Sequence, residues 1–187
     1  TVTFDLVKKD SNSASFTKSF ELENYAGTKF HVRVDRGIRL LDSNAVENIL
    51  GISLPGVKWV GYQTTNSITN ISNRDWNKST GVLSIWLSSM LKASPQNTVI
   101  IPYRSGGAGQ VNDSYFGKVP PERLIREDSV LFFTTDAKYR SKIGIPPAIV
   151  KPVFGSYNAL RNVLTIIRFD YHGDTDYVNS MWEQQQF

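Results

Sequence analysis

The sequence predicts an all-β protein, an antiparallel β-sandwich, and three observations lead to this class. Apolar and polar side chains alternate along many segments, most strictly over residues 28–36, which is the pattern of half-buried strands. Strand-like segments recur at short intervals with Gly, Pro and Asn between them, as in sandwiches and barrels. No helical pattern is long enough for the crossovers of an α/β fold. We expect one domain over residues 1–187, since no linker or low-complexity tract divides the chain.

The first two predicted strands, 15–22 and 28–36, are expected to form a hairpin. In the second strand Phe30 and Val32 lie on one side, and charged residues lie on the other. A short Asn-Tyr-Ala-Gly stretch separates the two segments and supplies turn-forming residues. Strands joined by so short a turn pair in the antiparallel sense.

Residues 43–50 are the helix candidate of the chain. Their apolar positions have helical spacing, Asp42 or Ser43 is a suitable N-cap, and Gly51 is a suitable stop. A strand is the alternative for so short a segment. We predict the remaining strands at 57–70, 81–88, 98–104, 129–134, 139–143, 150–157, 163–171 and 176–183.

Composition narrows the classes of function. The chain has no cysteine and only two histidines, which excludes thiol catalysis and disfavours a multi-histidine metal site. The net charge of +4 comes from basic residues interspersed with acidic ones, whereas nucleic-acid binders gather them on one face. No apolar run approaches the ~20 residues that cross a bilayer. We therefore expect no metal, no cofactor, no nucleic-acid partner and no membrane insertion of this segment.

The segment 111–117 is the first candidate binding segment. Asn112 and Asp113 offer polar groups for sugar hydroxyls, and the ring of Tyr115 offers a surface for the apolar side of a sugar. The alternative is a turn whose aromatic residues anchor it to the core, because Asn and Asp are common turn formers.

A second candidate is the predicted strand 139–143. Alternation places Arg140 and Lys142 on one face of it. Two cations on one face are suited to a carboxylate or an anionic sugar. An ordinary solvated face is the alternative, since most such charges are exposed.

The third candidate is the carboxylate of Glu183, at the end of the last predicted strand. Asn179 lies on the same side of that strand, while Trp182 reaches the site only if the strand bends or ends there. Glu183 is a candidate general base or acceptor of sugar hydroxyls, and a strand-edge glutamate in water is the alternative. No second carboxylate at a recognisable spacing supports a paired-acid hydrolase.

Several segments resemble known families. The stretches 20–39, 69–75, 83–87 and 179–184 are similar to the galactose mutarotase, or aldose 1-epimerase, superfamily. More closely, segments 111–124, 139–144 and 175–183 resemble an uncharacterised family of bacterial secreted proteins and lipoproteins. This closer resemblance covers nearly the whole chain.

The resemblance implies a super-sandwich fold with a sugar-binding cleft on one face, of which this chain is a part. It implies that Glu183 is the base and that Trp86 or Trp182 is the stacking surface. Two departures bear on chemistry. In the superfamily a histidine acts as the general acid, but the corresponding stretch 84–89 contains no histidine. The segment 112–116 is similar to a second histidine motif, but Asp113 stands at the position of its histidine. Without a proton donor opposite the base, ring opening is expected to be slow.

The expected function is therefore carbohydrate binding or processing in the bacterial cell envelope. The expected partner is a saccharide or another small polar ligand, and the resemblance implies a periplasmic or extracellular location, with a lipid anchor in a segment not present here. The alternative is a non-catalytic structural or interaction module that kept the sandwich and lost the site. Whether the protein is an enzyme stays open at this point.

Overall fold

The computed structural model describes residues 3–106 and 109–173, which form two compact units. Unit 1 comprises the described residues up to Leu87, and unit 2 comprises those from Ser88 to Gly173. Each unit contains one antiparallel sheet, so the predicted all-β antiparallel class is confirmed. The mutarotase-like arrangement and the single domain remain predictions.

Unit 1 is built on a four-stranded sheet whose strands are in chain order. The strands are β1 (Asp5–Lys9), β2 (Ser13–Glu23), β3 (Lys29–Leu40) and β4 (Tyr62–Asn70). The predicted hairpin is present, because β2 and β3 pair from Ser13↔Arg39 to Glu23↔Lys29. The alternation in β3 is as expected, with Phe30 and Val32 buried at 2% and 1% exposure.

The predicted helix is present as α1 (Ser43–Leu50), between β3 and β4. The carboxylate of Asp42 accepts a hydrogen bond from the backbone N–H of Ala45 at 2.8 Å and caps its first turn. Gly51 ends the helix in the left-handed conformation, with φ of 70°, which glycine adopts without steric cost. The strand alternative for this segment is wrong.

Unit 2 is built on a five-stranded antiparallel sheet of order β6-β7-β5-β8-β9. The strands are β5 (Asn97–Pro102), β6 (Leu124–Arg126), β7 (Val130–Thr134), β8 (Val153–Asn158) and β9 (Val163–Arg168). One face of this sheet carries the core of the unit. Leu124 and Leu131 are buried there with Val119 from the preceding loop.

Several boundaries differ from the predictions, and the reasons are physical. Residues 82–90 form no strand, and their apolar side chains are largely exposed, as for Trp86 at 69%. A strand-like sequence forms a strand only where a neighbour completes its hydrogen bonds. Residues 57–61 and 139–143 likewise lie outside strands. The short strands β1 and β6 were not predicted, because β1 does not alternate and β6 has only three residues.

Candidate functional site

Five of the predicted binding residues come together in unit 2. The backbone N–H of Asn112 donates to the carbonyl of Gly144 at 2.9 Å, and the N–H of Gly144 donates back at 2.8 Å. This bridge sets the loop 111–117 beside the extended segment 139–144. Asn112, Asp113, Tyr115, Arg140 and Lys142 therefore belong to one cluster, although the sequence suggested them separately.

Within this cluster the two cations lie over aromatic rings of the same chain. The guanidinium carbon of Arg140 is 4.5 Å from the ring centroid of Phe116, and the ammonium of Lys142 is 4.9 Å from that of Tyr115. Cation–π contacts of this kind stabilise by ~0.5–1 kcal/mol at exposed sites. Tyr115, Arg140 and Lys142, which were predicted to contact a ligand, are thus engaged within the chain.

Asp113 is buried and ion-paired. Its carboxylate is 2.8 Å from the ammonium of Lys118 and 2.6 Å from the guanidinium of Arg126. Burial alone would raise the pKa of Asp113, but the hydrogen bonds from Lys118 and Arg126 outweigh it and lower the pKa to about 2. The side chain is ionised at neutral pH and joins its loop to β6.

Asn112 forms the turn that the sequence offered as an alternative. Its side-chain oxygen accepts a hydrogen bond from the backbone N–H of Ser114 at 3.0 Å, which is an Asx turn. The aromatic ring that follows, Tyr115, packs against Gly144. This geometry fits the interpretation of 111–117 as an anchored turn.

A cleft of about 330 Å³ lies on the core face of the five-stranded sheet, beside the cluster. We call it the Tyr139 cleft. Its floor comes from β5, β7, β8 and β9, and its walls come from residues 89, 91, 93, 123, 135, 137, 139 and 141. Small-molecule sites usually have volumes of ~300–1,000 Å³, so this cleft is at the lower end of that range. It is lined by Ser89, Leu91, Ala93, Asn97, Val99, Arg123, Phe133, Thr134, Thr135, Ala137, Tyr139, Ser141, Phe154 and Ile167.

Arg123 organises the polar wall of the Tyr139 cleft. Its guanidinium forms a salt bridge with Asp136 and lies 5.4 Å from the ring centroid of Tyr139. The pKa of the Asp136 carboxyl is lowered, mainly by the hydrogen bond from Arg123. The Nε–H of Arg123 is buried and has no hydrogen-bond partner among the described residues. A planar cation, held in place by the carboxylate of Asp136, and an aromatic ring thus lie on one wall.

The floor of the cleft contains a buried hydrogen-bond network centred on Asn97. The amide of Asn97 donates to the hydroxyl of Thr135 at 2.6 Å and accepts from the hydroxyl of Ser156 at 3.1 Å. Asn97 and Ser156 are each 5% exposed. Because both polar ends of the amide are engaged, the floor is fixed before any ligand arrives.

The segment 139–142 separates the cluster from the cleft. Tyr139 and Ser141 line the Tyr139 cleft, whereas Arg140 and Lys142 stack on the rings of the loop 111–117. The alternation predicted for this segment is therefore present, although no strand forms. The sequence predicted that Arg140 and Lys142 contact the ligand. In the structure, the residues that line the cleft are their chain neighbours.

The other predicted site residues lie elsewhere. Trp86 belongs to unit 1. Glu183, Asn179 and Trp182 fall in 174–187, outside the described residues. Their roles as base, hydroxyl acceptor and stacking surface stay predictions.

The residues of the Tyr139 cleft were not predicted from the sequence. Arg123 and Asp136 lie thirteen positions apart, and no motif joins them, so this pair carried no local signal. A local signal did exist for Tyr139. It lies next to Arg140 in an alternating segment, so its side chain is expected on the opposite side from that of Arg140.

Residues 3–106 and 109–173 contain no group of three or more His, Cys, Asp or Glu side chains placed to hold a metal ion. In the same ranges, α1 has eight residues, and no helix there has the length and apolar character to cross a membrane.

Fold and site together define an all-β protein of two antiparallel sheets, with a small cleft in unit 2 that both polar and apolar side chains line. The chain belongs to a family of unknown function, DUF6786, whose model matches residues 1–187. No curated protein and no solved structure matches the chain.

Proposed function

We propose that the protein binds a saccharide in the Tyr139 cleft. The observation that carries this proposal is the wall on which the ring of Tyr139 lies with the guanidinium of Arg123, which a salt bridge to Asp136 holds in place. A sugar presents hydroxyl groups at its edge and C–H groups on its faces. A planar guanidinium suits the hydroxyls, and an aromatic ring suits the C–H face.

The floor of the cleft supports the same function. Asn97, Thr135 and Ser156 are held in one network, which limits the rearrangement needed when a polar ligand enters. Apolar side chains from the sheet, Phe133 and Phe154, complete the lining. The volume of about 330 Å³ suits one or two sugar rings rather than a long oligosaccharide.

Binding is favoured over catalysis by the state of the acidic side chains. Asp113, which by the resemblance stands where a mutarotase motif has its histidine, has a pKa of about 2, and the pKa of Asp136 is also lowered, mainly by Arg123. Neither carboxyl holds a proton at neutral pH, so neither serves as the general acid that ring opening requires. In the processing alternative, the resemblance to mutarotases assigns the base to Glu183.

The location we propose is the bacterial cell envelope, either periplasmic or extracellular, with attachment by a lipid anchor outside this segment. Its support is the resemblance to secreted proteins and lipoproteins. A periplasmic or surface location is consistent with a saccharide partner.

The direct test is calorimetric screening of the protein against neutral and acidic mono- and oligosaccharides. We expect at least one to bind, and Tyr139→Ala to weaken its binding ~10-fold or more, which corresponds to ~1.4 kcal/mol. Tyr25→Ala is the matched control, since Tyr25 is a 74% exposed tyrosine of unit 1. The absence of binding to every sugar, or an equal loss in both variants, would contradict the proposal.

The second candidate function is a structural or interaction module without a ligand. It is favoured by the cluster, in which Tyr115, Phe116 and Asp113 are all engaged by cations of the same chain. A coupled mutarotation assay of the wild-type protein and Glu183→Gln separates processing from both non-catalytic functions. We expect no activity above the uncatalysed rate in either protein, and activity that falls in the variant would favour processing.

A further inference from the structure

We infer that unit 1 carries a separate binding site for a tetrahedral oxyanion, a phosphate or sulfate group, on the polar face of its sheet. A depression of about 240 Å³ lies there. We call it the Gly37 depression. It is lined by Lys8, Ser13, Ala14, Ser15, Gly37, Ile38, Arg39, Gln63 and Thr65.

The register of the sheet places these residues in two adjacent rows. In one row, Lys8 pairs with Ser15, Ser15 with Gly37, and Gly37 with Thr65. In the next row on the same face, Ser13 pairs with Arg39, and Arg39 pairs with Gln63. Directly paired residues share a face of the sheet. One cation therefore stands in each row, with hydroxyl groups beside it.

A β-bulge turns Lys8 onto this face. Leu6 pairs with Phe16 on the core face, and the register shifts between Leu6 and Lys8. Without the shift, Lys8 would lie on the same face as Leu6, because residues two apart in a strand share a face. Bulges of this kind reorient side chains and are frequent beside functional sites. The bulge interrupts the pairing of β1 with β2 between Leu6 and Lys8, and it places Lys8 beside the depression.

Gly37 provides the floor. Glycine inside a strand weakens the strand and often marks a place where another group approaches the backbone closely. A Cβ at this position would stand 2.5 Å from the hydroxyl oxygen of Thr65, so any other residue would displace that hydroxyl. The hydroxyl of Thr65 therefore stands over Gly37, in the space that a side chain would take at any other residue.

The donors of the depression are suited to an oxyanion. Arg39 donates to Gln63 at 3.0 Å, which uses one of its five N–H groups and fixes the guanidinium. Within the described residues, Lys8 makes no ion pair, and no side-chain hydrogen bond engages the hydroxyls of Ser15 and Thr65. Two cations and two hydroxyls match the acceptors of a phosphate or sulfate group.

The neighbouring carboxylates are occupied by internal donors. Asp10 accepts hydrogen bonds from the backbone of Asn12 and from the backbone and hydroxyl of Ser13. Asp35 accepts from Thr17 and Arg33. Their negative charge still reduces the local excess of positive charge. Because the oxyanion is held by charge attraction at an exposed site, we expect its binding to weaken as salt is added.

The test is a titration of the protein at low ionic strength with inorganic phosphate, inorganic sulfate, glucose 6-phosphate and glucose, followed by calorimetry and by amide NMR shifts. We expect the three anions to bind and to shift the amides of residues 13–15, 37–39 and 63–65, and we expect glucose not to shift them. Tighter binding of glucose 6-phosphate identifies a phosphorylated sugar, and equal binding identifies the free anion.

The variants Lys8→Gln and Arg39→Gln are each expected to weaken anion binding ~10-fold, the effect of losing a charged hydrogen-bond donor. Arg33→Gln is the matched control, because Arg33 is an arginine on the same strand and face that pairs with Asp35 instead. We expect less than a 2-fold change there. Absence of binding by all three anions, or equal losses in Arg33→Gln and Arg39→Gln, would overturn the inference.

Discussion

The ring of Tyr115 lies against Gly144 so closely that a Cβ on Gly144 would stand 2.3 Å from the phenolic oxygen and about 3 Å from two ring carbons. This contact joins the loop 111–117 to the segment 139–144, together with the backbone bridge at Asn112. Gly144 has no positive φ, so the steric contact alone requires glycine there.

The first prediction concerns this contact. Gly144→Ala is expected to destabilise the protein by ~1–3 kcal/mol, because the added methyl forces the ring of Tyr115 out of place. Thermal unfolding followed by circular dichroism measures the effect. Gly173→Ala is the control, since a Cβ on Gly173 would lie 3.6 Å from the ring of Tyr171, which is an ordinary van der Waals distance. An equal loss in both variants would contradict the steric explanation.

The second prediction concerns the pH dependence of stability. The pKa of Asp113 is about 2 in the folded protein, against an ordinary value of 3.8. Its contribution is therefore present above about pH 4 and is lost as pH falls through about 2, and it amounts to roughly 2 kcal/mol. Asp113→Asn removes this contribution, so the stability difference between the two proteins narrows as pH falls from 4 to 2.

Chemical denaturation of both proteins at several pH values between 2 and 7 measures that difference. The ion pair of Arg123 and Asp136 is present in both proteins, so its own pH dependence cancels in the comparison. A difference that stays constant over the range would show that the charge of Asp113 does not stabilise the fold.

The third prediction concerns the floor of the Tyr139 cleft. Asn97→Ala removes the side-chain amide that joins the hydroxyls of Thr135 and Ser156. The hydroxyl of Thr135 keeps the backbone carbonyl of residue 97 as an acceptor at 3.4 Å, whereas the buried hydroxyl of Ser156 loses its acceptor. We expect a loss of ~1–3 kcal/mol in the free energy of unfolding, together with weaker saccharide binding. The exposed neighbour Gln96 provides the control variant Gln96→Ala, which should leave both quantities unchanged.

The fourth prediction concerns α1 in unit 1. Asp42→Ala removes the side-chain acceptor that caps the backbone N–H of Ala45, and a loss of ~1 kcal/mol is expected. Ser43→Ala changes the adjacent residue without removing that cap and serves as its control. If Ser43→Ala is the more damaging of the two, the cap has been misassigned.

The sequence predicted best those elements whose signals are local. The pattern around Phe30 and Val32 and the caps of α1 depend on neighbouring residues alone, and both are present in the structure. The segment 81–88 has an equally strand-like composition, but no neighbouring strand pairs with it among the described residues. Pairing depends on residues that are distant in the chain, which composition does not encode.

The candidate site shows the same limit. The proximity of 111–117 to 139–144 depends on one backbone bridge, between Asn112 and Gly144, and no spacing in the sequence indicates it. The salt bridge of Arg123 with Asp136 is also a product of tertiary structure. Residue types in the two segments did suggest recognition of a polar ligand. Which partner each side chain contacts is set by the tertiary structure, and the sequence does not show it.

The bulge in β1 has a consequence beyond the orientation of Lys8. β1 is the outermost strand of the four-stranded sheet, and all five of its residues are exposed. A regular strand in that position would offer its free N–H and C=O groups as a template for strands of other molecules. The break in register, with Lys8 and Lys9 beside it, makes that template irregular and charged, and so opposes aggregation through this edge.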